Sequence, residues 1–222
     1  MQNVCVCSAI EDLADGSDSF IVALTAEGKT PVQFTDYPRL GEQSNFYDEV
    51  KIWEAACATS AATSFFSPIK IRSGEGYREF LDGAFNANNP VFKLWLEAKA
   101  QFGPLPLEPR ISCLVYLGTG KPQLKAFDDT VVAVGRSVID IATETQTTAA
   151  LFHEEHEDLA NQARYFRFNP PDIGDVGLEE AGKRTIIEVT TEAYGNDPEV
   201  KQICGNSSRL LRMESPTAEL KY

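Results

Sequence analysis

The chain of 222 residues is short of long hydrophobic runs, of basic charge and of histidine. Its most continuous apolar stretch, Ile111 to Leu117, is the length of a strand. A membrane-crossing helix needs roughly 20 apolar residues, so no transmembrane segment is expected. The opening Met1-Gln2-Asn3-Val4-Cys5-Val6-Cys7 lacks the positive start and cleavage pattern of a secretory signal. Lys plus Arg number 20 against 33 Asp plus Glu, a formal net charge of -13. That balance argues against a nucleic-acid partner, whose phosphates call for clustered Lys and Arg. It argues equally against a polybasic grip on anionic membranes.

Disulfide and metal chemistry find little material. Five cysteines (Cys5, Cys7, Cys57, Cys113, Cys204) are an odd number, and three of them lie in apolar stretches. The expectation is buried, reduced thiols in a cytoplasmic protein rather than a disulfide framework. Cys5 and Cys7 share a strand face, but no second Cys or His pair accompanies them, so no metal site and no cofactor are expected. The two histidines, His153 and His156, lie three apart among Glu154, Glu155, Glu157 and Asp158. This is not the H-E-x-x-H spacing, and a solvated helix face is the expected reading. A serine elbow, G-x-S-x-G, is also missing. The sequences around Ser17, Ser137 and Ser207 all fail the pattern, and Ser60 and Ser64 read as packing or helix-end residues. Gly74-Glu75-Gly76 reads as a plain turn, and Gly118-Thr119-Gly120 as a sharp turn off a strand rather than a phosphate loop.

What is present is a mixed α/β pattern. Asn3–Ile10 reads as a strand, and Ser19–Thr25 with Pro31–Phe34 as a hairpin across Glu27-Gly28-Lys29. Asp48 to Thr63 reads as a helix with Val50, Trp53 or Glu54, and Cys57 at helical spacing. Its many alanines predict close approach to a sheet. Glu79 to Ala84 reads as a strand ending in a tight turn. A helix then follows, with Asn89 as N-cap, Pro90 at its first position and a stripe of Val91, Leu94, Trp95, Ala98 and Phe102, stopped by Gly103-Pro104. Ile111 to Leu117 reads as a strand buried on both faces in a parallel sheet, in need of neighbours on each side. Beyond about Val131 come long helices, the short strand Arg164–Phe168, terminal helices over Leu178–Tyr194 and Pro198–Leu211, and a frayed tail from Glu214.

Several blocks then fall in an informative order. An alanine-rich helix ends in Phe65-Phe66; Asp82-Gly83-Ala84 and Asn88-Asn89-Pro90 follow. Leu117-Gly118-Thr119-Gly120, Ile141-Ala142-Thr143-Glu144-Thr145, Tyr165-Phe166-Arg167-Phe168-Asn169 and Gly177-Leu178-Glu179-Glu180-Ala181 come later. Together they resemble the patatin-like phospholipase family, most closely its fungal members. The resemblance implies a three-layer α/β sandwich with a parallel-rich sheet and a helical C-terminal layer. On this reading residues 1–125 are the C-terminal part of a catalytic core that begins in mid-domain, and 126–222 are a mostly helical region packed on it.

In that family a serine in a G-x-S-x-G elbow attacks the ester carbonyl, an aspartate of a D-G-A/G motif is its base, and an upstream Gly-rich loop stabilises the oxyanion. Only Asp82 falls on a catalytic position here, as proton acceptor, with Gly83 and Ala84 completing its motif. A serine hydroxyl becomes nucleophilic when an adjacent carboxylate takes its proton. Taken without its neighbours, Asp82 would read as a turn or capping aspartate. The missing serine and oxyanion loop belong ahead of this chain's start in the family order. The resemblance therefore implies a hydrolase of phospholipids or other lipid esters, in transient contact with a membrane surface. The alternative is a catalytically incomplete remnant or binding module.

Overall fold

The computed structural model describes residues 4–10, 20–39, 46–63, 65–121, 133–171, 173, 176–177 and 180–213. Seven strands are described: β1 Val4–Ile10, β2 Phe20–Thr25, β3 Pro31–Thr35, β4 Ile69–Ser73, β5 Gly76–Asp82, β6 Ile111–Leu117 and β7 Tyr165–Phe168. The helices are α1 Phe46–Glu49, α2 Ile52–Thr59, α3 Ala84–Ala87, α4 Val91–Phe102, α5 Ala133–Glu155, α6 Glu157–Asn161, α7 Arg184–Asn196 and α8 Pro198–Met213. None of them is long and apolar enough to cross a membrane. The chain divides into two compact units, one essentially 16–104, the other 3–15 with 105–222. In the second of these units β6 pairs with β1 on one side and β7 on the other.

In the 16–104 unit four strands form an antiparallel sheet in the order β3-β2-β5-β4. Alternation explains its core. Ile21 and Ala23, Val32 and Phe34, Ile69 and Ile71, and Phe80 fall on one face, where they pack with Phe46, Val50, Ala55 and Ala58. Phe80 anchors the cluster, edge-on to Phe34 at 5.3 Å and stacked on Phe46 at 5.8 Å. α2 lies against β2, β4 and β5, and Ala58 is fully buried at that contact. The small side chain lets the helix backbone approach the sheet, as the alanine content predicted. The Thr59 hydroxyl fastens the end of α2 by donating to the Val22 carbonyl at 2.7 Å.

The helix expected over Asp48 to Thr63 is broken into α1 and α2, with Lys51 extended between them. Its expected stripe is also displaced. Trp53 is 58% exposed and Cys57 is exposed, because the sheet takes the alanine face. α4 holds closer to expectation: Val91 and Trp95 are buried. The helix starts one residue later than expected, with Pro90 rather than Asn89 as its N-cap and Val91 at its first position. Asn89 Oδ1 still accepts the Val91 N–H at 3.2 Å, and Gly103 ends the helix at φ 85°, a left-handed value that suits glycine.

In the other unit β6 is the middle strand, antiparallel to β1 and parallel to β7. It has the neighbour on each side that its apolar sequence demanded, and five of its seven residues are buried. Cys113, Val115 and Phe166 form a cluster with Phe168, Ile203 and Leu210, so α8 covers one face. The α/β class stands, yet the described pairings are four antiparallel and one parallel, not parallel-rich. The short connections β2–β3 and β4–β5 can only make antiparallel hairpins; the long helical crossover from β6 to β7 is what parallel pairing requires.

Among the helices of the 105–222 unit, α7 spans Arg184–Asn196; Leu178, where its start was expected, lies outside the described residues. His156 departs from the expected solvated face. It is buried at the break between α5 and α6, stacked on Phe152 at 4.1 Å, with Nδ1 2.9 Å from the Phe152 carbonyl. His153 is exposed. Of the three cysteines whose surroundings are described, only Cys113 is buried, while Cys57 and Cys204 are exposed. Ser17, Ser64 and the tail from Glu214 lie outside the described residues, as do the side chains of Cys5, Cys7 and Ser137.

Candidate active site

Asp82 is the last residue of β5, paired across the sheet with Ala23 of β2. Strand alternation puts it on the face of Phe80 and Ala23, the side that α2 covers. Two backbone-fixed bonds set its position. Its N–H donates to the Ala61 carbonyl at 3.0 Å, which ties the strand end to the turn that follows α2. Its carboxylate Oδ1 accepts the Ala84 N–H at 2.8 Å, a local turn bond two residues on. The side chain is half-buried.

The motif is therefore a strand end, a turn and the short helix α3. The turn geometry belongs to the bland reading of an aspartate, and the structure shows it directly. It also holds one carboxylate oxygen in a fixed direction, as a positioned base requires. Gly83 needs no special freedom: its φ of -65° and ψ of -13° are ordinary helical values. Gly83 is buried. After the motif come Asn88 and Asn89, both buried, and α4. The block order read from sequence is thus one continuous piece of structure, from α2 through β5 to α4.

The turns set aside earlier behave as turns. Gly74 has φ +59° in the β4–β5 hairpin. Gly118 N–H donates to Phe168 O at 2.7 Å, and Gly120 N–H to Asn169 Oδ1 at 2.8 Å. A Cβ at Gly118 would lie 2.3 Å from that same oxygen, so close approach by Asn169, not phosphate binding, accounts for the glycine. Ser207 is buried, with its hydroxyl donating to the Cys204 carbonyl at 3.1 Å. Among the described residues no group of three or more His, Cys, Asp or Glu could hold a metal ion.

One charged group in the 16–104 unit escaped the sequence reading. Glu97, on α4, is buried; Arg39 Nε and Nη2 donate to its two carboxylate oxygens, each at 2.9 Å, and the Tyr37 hydroxyl donates at 3.2 Å. Arg39 Nη2 also donates to Gln33 Oε1 at 3.0 Å. No spacing rule links residues 58 apart in sequence, so only the fold reveals this pair.

Residues 9–95 match the family model described as Patatin-like phospholipase. That span contains α2, Asp82-Gly83-Ala84 and Asn88-Asn89-Pro90, the blocks on which the resemblance first rested. The chain is also similar to "Patatin-like phospholipase 1" of Plasmodium falciparum (isolate NF54), 25% identical over 177 residues, covering 70% of this chain and 26% of that protein. The chain thus spans about a quarter of the length of the curated relative it matches.

Proposed function

We propose that this chain carries the base half of a lipid ester hydrolase, with Asp82 as proton acceptor for a serine nucleophile. The observation that supports it is the placing of Asp82 inside the family-matched segment, with one carboxylate oxygen fixed by the Ala84 N–H. A carboxylate so held can take a serine proton without a histidine. No G-x-S-x-G stands in the 222 residues. On this reading the nucleophile and oxyanion donors come from a segment outside them, and the substrate is a phospholipid or related lipid ester.

The test is to read the in-frame coding sequence ahead of Met1, where absence of a G-x-S-x-G would count against the proposal, and to express the 222-residue chain alone and joined to it. The chain alone is expected to leave a short-chain ester intact and to resist a fluorophosphonate serine probe. The joined form should hydrolyse the ester, and Asp82→Asn should lower its rate by about 10²–10⁴-fold, the range for a general base. Full activity in Asp82→Asn would overturn the assignment. A joined form that folds, yet neither labels nor turns over, would favour the catalytically incomplete alternative.

A further inference from the structure

Asp82 stands at a corner of the four-stranded sheet where its ladders run out. The pairing of β2 with β5 stops at Ala23 with Asp82, and that of β4 with β5 stops earlier, at Ile69 with Phe80. The Ala26 N–H donates to the Glu79 carbonyl at 2.9 Å. Antiparallel alternation from that bond turns the Val22 carbonyl toward the β5 side and the Asp82 N–H toward the β4 side. Opposite Val22 the chain has already left β5, for Gly83 has a helical backbone. Opposite Asp82 it has not yet entered β4, which begins at Ile69. The end of α2 serves both places. The Thr59 hydroxyl donates to the Val22 carbonyl at 2.7 Å, and the Ala61 carbonyl accepts the Asp82 N–H at 3.0 Å.

The residue type at 59 is what makes this clasp. From Ala58 to Ala62 three residues are alanine and Ser60 is exposed, so the hydroxyl that reaches the sheet is that of Thr59. Its β-branch restricts χ1, so the turn behind the hydroxyl keeps a fixed relation to β2. We propose that Thr59 is a positioning residue for Asp82: its bond to the Val22 carbonyl fixes the turn whose Ala61 carbonyl holds the Asp82 N–H.

The consequence for chemistry runs through direction. Asp82 Oδ1 is aimed by the Ala84 N–H, just beyond the strand end. A strand end that slips carries both the carboxylate and its donor away from the proton the base must take. A misplacement of about 1 Å can cost about 100-fold in rate. In this role Thr59 touches no substrate, so it governs turnover and not binding. The proposal rests on the hydrolase reading for its effect on rate, but the placing of the carboxylate is measurable apart from turnover.

The experiment uses NMR of the 222-residue chain with carboxyl-labelled aspartate, the Asp82 signal being identified by its loss in Asp82→Asn. Thr59→Val keeps the shape and removes the hydroxyl. It should move the Asp82 carboxyl signal and speed exchange of the Asp82 amide about tenfold or more. Thr59→Ser, which keeps the hydroxyl, should restore both. Ile71→Val is the control, a mild loss in the same core, and should leave the carboxyl signal in place. In the joined form Thr59→Val should lower kcat about tenfold or more with KM little changed. An unmoved Asp82 signal in Thr59→Val, or equal movement in Ile71→Val, overturns the proposal. If Thr59→Val does not fold, Thr59→Ala takes its place; unfolding of both would make Thr59 a folding residue and overturn the proposal as well. A moved signal in a joined form whose rate is indifferent to Asp82→Asn would sink the hydrolase reading alone. A rate that falls in Asp82→Asn and not in Thr59→Val would sink the positioning role alone.

Discussion

At the scale of single residues, position in the fold decides what a charge contributes. The Arg39 side chain is 24% exposed and that of Glu97 only 7%. Removing one partner of a buried pair strands the other, at about 3–5 kcal/mol when it is fully enclosed. The stranded charge matters more than the lost bonds. Arg39→Met should therefore cost more, about 3 kcal/mol, because it leaves the deeper carboxylate unpaired. Glu97→Leu should cost about 1–2 kcal/mol, since Arg39 can turn toward water. The double variant should lie well below the sum of the two. Urea unfolding of all three checks this, and equal single costs or simple additivity would refute it. Asp82 is the contrasting case. Asp82-Gly83-Ala84 was legible as a triplet in order with its neighbours, and its role as base is what is proposed for it. Glu97 was illegible because its partners come from Gln33, Tyr37 and Arg39, brought to it only by folding.

At the scale of elements, the two-residue alternation of the strands and the short turns between them were readable, and β1, β2, β3, β6 and β7 fall where they were expected, while β5 begins at Gly76 rather than Glu79 and ends at Asp82, and β4 was not foreseen. The direction of pairing was less so, because an apolar strand looks the same beside a parallel or an antiparallel neighbour. β6 has one of each. For α2 the existence of the helix and its closeness to a sheet followed from alanine, whereas its buried face did not. Trp53 and Cys57 fit the helical period as well as Ala55 and Ala58 do, and only the space above the sheet separates the two choices. That space gives a test. Ala58 is fully buried where α2 meets the sheet, so Ala58→Leu should overpack the contact at a cost of about 1–3 kcal/mol. Ala56 is exposed on the same helix, and Ala56→Leu should change stability by less than about 0.5 kcal/mol. Thermal melts of the pair would decide it; similar losses in both would mean that α2 presents a different face.

For the whole molecule the dominant fact is net charge. With 33 acidic against 20 basic residues and an isoelectric point near 4.6, the chain repels itself at neutral pH. Local pairs work against that trend. The Lys183 ammonium, 2.7 Å from Glu180, holds the Glu180 carboxyl below its ordinary value, helped by the Gly177 N–H. A carboxyl lowered in the folded state contributes stability that is present above its ordinary value of 4.5 and is lost as pH falls below it. Being solvent-exposed, this pair contributes little. Acidification from pH 7 therefore first relieves repulsion across the chain, and only below about 4.5 removes the carboxylate pairing. Two outcomes follow for melts at low ionic strength. At pH 7, adding roughly 0.15 M salt, which shortens the screening length to about 8 Å, should raise the melting temperature. Near the isoelectric point the same salt should have little effect, because the net repulsion it would screen has gone. A salt-induced fall in melting temperature at pH 7 would mean that attractive pairs such as Arg39–Glu97 and Lys70–Glu79, rather than the excess of acidic charge, set the electrostatic balance of the fold.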